Sequence, residues 1–173
     1  MPSSIIEAAG FSGDVLVFMR LLAQHRVRYV IVGGEAVIFH GYPRVTGDID
    51  FFYDHNPSNS RRLFNVLLQF WDGQVPGLAS AKELEEEGVI FQFGRPPHRI
   101  DLMNRIDGVR FAQAWKSRIR VQVRAGRDAV SVAYIDLALL LKNKRVARRP
   151  KDMEDARYLS AQLRRRSARA RRD

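Results

Sequence analysis

The chain has 173 residues, 46% of them hydrophobic and 28% charged, with no cysteine and a formal net charge of +10 at pH 7. That length suits one domain, and the apolar fraction excludes a wholly disordered chain. The missing cysteine excludes a disulfide scaffold, a thiolate nucleophile and any zinc or iron–sulfur centre built on Cys. No run reaches the ~18 consecutive apolar residues of a membrane span. The opening MPSSIIEAAGFSGD lacks the basic region and apolar core of a secretory signal. A cytoplasmic protein without a membrane partner is therefore expected.

Along the chain, α and β patterns alternate. Asp14 to Gln24 is an amphipathic helix with Ser12 or Asp14 as its N-cap. Tyr29–Val32 is a buried strand ending in the sharp turn Gly33-Gly34, and Glu35–His40 a short helix stopped by Gly41 and Pro43. Asp48–Tyr53 is a strand, Pro57 and Ser58 open a helix to about Trp71, and Ser80–Glu87 is a short acidic helix. Strands follow at Val89–Phe93 and Arg99–Met103, then a short helix at Val109–Trp115. Ile119–Val123 and Val130–Tyr134 are strands joined by a turn containing Gly126. Asp136 caps a helix to about Lys144, and Pro150 begins a last helix to about Arg166. No linker or repeat divides the sequence. The pattern predicts a single α/β (α+β) domain over residues 1–173, a mixed sheet flanked by helices, with a basic C-terminal helix and tail at about 151–173.

The charge is concentrated. Lys142 to Asp173 hold thirteen Lys/Arg against four Asp/Glu, a net +9, whereas residues 1–141 hold sixteen against fifteen. Such asymmetry points to a polyanion, nucleic acid being the usual one; a solvated tail is the competing reading.

The chemistry lies in VGGEAVIFHGYPRVTGDIDFF, residues 32–52. Asp48 and Asp50 alternate on a strand, so both leave one face while Ile49 and Phe51 enter the core. Like charges on one strand face repel, and hard oxygen ligands in that position suit Mg²⁺ or Mn²⁺. Asp101, between Ile100 and Leu102 on another strand, is the candidate third carboxylate of a two-metal clamp. For a single such acid, a strand-end cap or a surface ion pair competes. Asp54 shares the parity but precedes a turn. Gly33-Gly34 allows a sharp turn and close approach to an anion, yet it matches neither a P-loop nor a dinucleotide fingerprint. His40 reads as a structural histidine. Phe18, Met19, Phe64, Phe70, Trp71 and Trp115 fall at core spacings.

Gly33-Gly34, Asp48-x-Asp50 and the later Asp101 together resemble the DNA polymerase beta-like nucleotidyltransferase superfamily. The run GGEAVIFHGYPRVTGDIDFF resembles more closely the AbiE-type (AbiEii-like) nucleotidyltransferase toxins, as does NKRVARRPKDMEDARYL near the C-terminus. The resemblance implies a polymerase-beta-like fold with C-terminal helices. It implies Asp48, Asp50 and Asp101 as ligands of two Mg²⁺ (or Mn²⁺) ions, Asp101 also activating an acceptor hydroxyl. Gly33 and Gly34 would cradle the triphosphate of an NTP, with Lys144, taken as catalytic, and Lys151 as its cationic partners. Arg44 and Thr46 either touch phosphate or pin their loop. Asp152 and Asp155 cap the last helix or pair with cations. The chain departs from the many relatives that carry Gly-Ser in place of Gly-Gly, and it has little room for a separate acceptor domain. The expected activity is transfer of a nucleoside monophosphate to RNA, tRNA in particular, by a toxin with a cognate antitoxin. A small-molecule or protein acceptor is the alternative, as is a non-catalytic nucleic-acid-binding or antitoxin-like relative.

Overall fold

Three helices begin where a side-chain oxygen accepts a backbone N–H three residues ahead. Ser12 Oγ accepts from Val15 at 3.4 Å, Asn56 Oδ1 from Asn59 at 3.0 Å and Asp136 Oδ1 from Leu139 at 2.8 Å. A computed structural model describes residues 4–7 and 11–169 of the chain. Its strands are β1 (Ser4–Glu7), β2 (Tyr29–Val32), β3 (Asp48–Tyr53), β4 (Ile90–Phe93), β5 (Arg99–Met103), β6 (Ile119–Ala125) and β7 (Asp128–Tyr134). Its helices are α1 (Gly13–Gln24), α2 (Gly33–Phe39), α3 (Pro57–Phe70), α4 (Phe111–Ser117), α5 (Leu137–Ala147) and α6 (Pro150–Arg169).

The strands form one mixed sheet in the order β1-β6-β7-β2-β3-β5-β4. β3 runs antiparallel to β2 and parallel to β5, and β5 runs antiparallel to the edge strand β4. β2, Tyr-Val-Ile-Val, is buried throughout because it has a strand on either side and cover on both faces. Strand alternation divides the packing. Phe51 meets Phe18 of α1 edge-on at 5.4 Å, and Phe18 meets Phe70 of α3 at 5.3 Å. Phe52, on the opposite face, meets Phe111 of α4 at 5.3 Å. The second face is also the face of Asp48 and Asp50.

The fold class is as the sequence predicts. Several boundaries shift for identifiable reasons. β1 escapes the sequence reading because four residues at a sheet edge carry no extended alternation. α2 starts at Gly33, whose positive φ of 62° lets helix follow strand without a loop. The predicted helix at Ser80–Glu87 is a single 3-10 turn, Ala81–Glu85, held by Glu83 accepting from the Ser80 N–H at 2.8 Å. α4 begins at Phe111 because Val109 bridges to Ile106 as extended chain. α5 continues to Ala147 and ends at Arg148, which is left-handed. No described helix is long and apolar enough to cross a membrane. The Arg-rich end falls in α6 as far as Arg169, and residues 170–173 lie outside the described residues.

Candidate active site

Register builds the site. β3 and β5 run side by side so that Asp48 pairs with Arg99 and Asp50 with Asp101, all four side chains on one face. Val32, the last residue of β2, lies opposite Asp50, which brings the Gly33-Gly34 turn against that carboxylate. All nine site residues predicted from the sequence border one cleft of about 920 Å³, a volume within the range of small-ligand pockets.

The glycines answer first to the acids. A Cβ on Gly33 would stand 1.7 Å from Asp50 Oδ2, and one on Gly34 would stand 2.6 Å from Arg44 Nη2 and 2.7 Å from Thr46 Oγ1. The Gly34 N–H lies close enough to Asp50 to favour its charged form.

The three carboxylates differ in their partners. Arg99, which sequence reasoning left without a role, lies between two of them. Its Nε donates to Asp101 Oδ1 at 2.7 Å, and its Nη2 donates to Asp101 Oδ2 at 2.9 Å and Asp48 Oδ2 at 2.7 Å. Gln92 of β4 donates to Asp101 Oδ2 at 2.9 Å, and the Thr46 hydroxyl to Asp48 Oδ1 at 3.1 Å. Asp50 forms no ion pair among the described residues. Burial, and then the charges of Asp48 and Asp101, push its carboxyl up to about 6; the Lys144 charge and the Gly34 N–H act against them. The signal that could have found Arg99 and Gln92 is parity: each sits at a register position facing an acid.

Behind the cleft, α5 and α6 carry a buried ionic network. Lys144 Nζ lies 2.7 Å from Asp152 Oδ1 and 3.0 Å from Asp155 Oδ2, with only 8% of its side chain exposed. Arg44 Nη1 reaches both oxygens of Asp155, at 3.0 and 3.1 Å. Arg44 and Thr46 thus pin the loop between α2 and β3, one of the two roles their positions left open. Asp152 and Asp155 pair with cations, as their places in α6 suggest. Lys144 borders the cleft but its ammonium is already matched by two acids. Lys151 is exposed at the rim. His40 is buried and donates from Nε2 to the Ile135 carbonyl at 2.9 Å, with burial lowering its pKa, as a structural histidine should. Asp54 pairs with Arg28 at 3.0 Å.

As placed, no three acidic or histidine side chains among the described residues close on a common point. The donor set still fits a divalent cation. Two carboxylates already share one positive group, the Arg99 guanidinium, and the third, half-buried, has no ion-pair partner among the described residues.

No curated protein matches the chain. Residues 14–163 match the family described as "Nucleotidyltransferase of unknown function (DUF6036)", a span that takes in the cleft, its three carboxylates and the network behind them. The chain belongs to that nucleotidyltransferase family.

Proposed function

We propose that this protein is a divalent-metal-dependent enzyme that moves a nucleoside monophosphate from an NTP to a hydroxyl of RNA, tRNA in particular, as the cytoplasmic toxin of a toxin–antitoxin pair. The observation that carries the catalytic part is the register that sets Asp50 beside Asp101, with Asp48 on the same strand face. Asp48, Asp50 and Asp101 would hold two Mg²⁺ or Mn²⁺ ions, which supply charge neutralisation of the triphosphate and of the departing pyrophosphate. Asp101 would take the proton of the acceptor hydroxyl. The new bond joins that oxygen to the α-phosphorus, and the bond from the α-phosphorus to the bridging oxygen breaks as pyrophosphate leaves. Gly33 and Gly34 would form the wall against which the triphosphate lies. Lys151 at the rim, and Lys144 behind Asp50, would add positive field to it.

The RNA acceptor rests on charge, since Lys142 to Asp173 carry a net +9 and RNA is a polyanion that such a surface suits. The toxin reading rests on the likeness of residues 33–52 and 143–159 to the AbiE-type enzymes. Incubation with each of the four α-labelled NTPs, Mg²⁺ and total RNA tests the activity and its acceptor. Label in RNA supports the acceptor. Label only in protein or in a small molecule replaces it, and no label with any acceptor, in folded protein, overturns the enzyme and leaves a binding relative.

A further inference from the structure

Arg99 does for Asp48 and Asp101 what a metal ion would do. The guanidinium is a planar fork, and its Nε and Nη2 engage three of the four oxygens of the two carboxylates, with donor distances of 2.7–2.9 Å. Thr46 takes the remaining oxygen of Asp48, and Gln92 adds a second donor to Asp101. Every carboxylate oxygen of these two residues is occupied. The arrangement is built into the sheet, because Arg99 is two residues before Asp101 and in register with Asp48, so its side chain leaves the same face as both. Arg99 also has a way out. Its side chain is 26% exposed and borders the cleft, so it can leave the acids without crossing the core.

Each of those oxygens keeps a further lone pair, but a divalent ion bound there would share two acids with a guanidinium already on them, so the two cations compete for the same negative charge. A free ion entering the cleft must weaken a bidentate charge-assisted pairing and leave the guanidinium short of an anion. An incoming polyphosphate changes that balance, because it offers the displaced guanidinium an oxyanion partner on the same wall.

We propose that Arg99 is an internal competitor of the divalent cation, to which it yields the carboxylates only when a polyphosphate takes the guanidinium, so that metal and triphosphate bind together rather than metal first. The inference rests on the metal-dependent reading above. Each ligand then strengthens the other by the same factor, as linkage requires.

Two titrations of the full chain test it, each on wild type, Arg99→Gln and Arg99→Lys, with circular dichroism to confirm folding. Mn²⁺ alone, followed by electron paramagnetic resonance, should bind Arg99→Gln about tenfold or more tightly than wild type, with Arg99→Lys in between. Inorganic tripolyphosphate alone, followed by calorimetry, should bind Arg99→Gln about fivefold or more weakly. A purely structural arginine would not move the two affinities in opposite directions. If Arg99→Gln does not fold, Arg99→Lys carries both readings. Mn²⁺ affinity that is equal or weaker in the folded variants overturns the competitor role while leaving the metal site standing. Absence of Mn²⁺ binding in all three proteins removes the metal reading itself, and the competitor with it.

Discussion

Asp50 is the residue whose surroundings make the strongest demand. It is a half-buried carboxylate beside two others, and its pKa rises from 3.8 to about 6. A carboxyl held above its unfolded value binds more protons in the folded state across that interval. Asp50 should therefore contribute a loss of stability to the metal-free protein as pH rises from about 4 to about 6, by the linkage between proton binding and folding. Asp50→Asn should flatten that slope in urea denaturation curves taken across the interval. An unchanged slope would show that Asp50 is not the group responsible. Asp48→Asn behaves differently, because Asp48 is part-exposed and gives up its ion pair with Arg99 at 2.7 Å; a cost of up to about 1 kcal/mol is expected. The two glycines also separate. Gly33→Ala meets both a positive φ of 62° and a carboxylate oxygen at 1.7 Å, so it should destabilise by about 1–3 kcal/mol and move Asp50. Gly34→Ala crowds Arg44 Nη2 at 2.6 Å and Thr46 Oγ1 at 2.7 Å but has no positive φ to strain, so it should cost less. Thermal melts of the two variants read the order, and a milder Gly33→Ala would contradict it.

At the scale of elements, the packing of α6 on α5 decides what Lys144 can do. Asp155 is shared between Lys144 of α5 and Arg44 of the loop before β3, so one carboxylate joins three segments. Removing one partner of a buried ion pair leaves charge uncompensated, and Asp155→Ala should cost about 3 kcal/mol or more in chemical denaturation. A loss under about 1 kcal/mol would mean that the network contributes little. This joint also marks the limit of what the sequence tells. β3 is legible to the residue, because acids alternating with apolar side chains leave no other strand phase for Asp48–Tyr53. Asp101 is legible for the same reason. Lys144 is not, since a cation near a helix end reads as free until α6 is seen to bring two aspartates to it. Asn59 is hidden in the same way: its side chain accepts from the Arg28 N–H at 2.7 Å and donates to the Arg28 and Asp54 carbonyls, and nothing local in α3 foretells a partner 31 residues back. Local pattern determines which face a residue takes, whereas distant chain decides what it meets there.

For the whole molecule, the basic end and the cleft are separable claims. Residues 164–173 contain six arginines, and the site residues all lie between Gly33 and Asp155. Deleting that segment should weaken RNA binding and lower the slope of log K against log salt by about 0.7–0.9 for each phosphate that is no longer neutralised. Nucleotide affinity should change little. Titration with tRNA at several salt concentrations reads both numbers, and identical affinity and slope would leave the tail out of RNA recognition. In the proposed mechanism Asp48, Asp50 and Asp101 act as one catalytic carboxylate set. The most direct test of that set is transfer of label from each α-labelled NTP to RNA by wild type, Asp50→Asn and Asp101→Asn, with folding confirmed for each. Mg²⁺-dependent labelling by wild type should fall by at least about 10²–10³-fold in both folded variants. Undiminished labelling in either variant would contradict that mechanism.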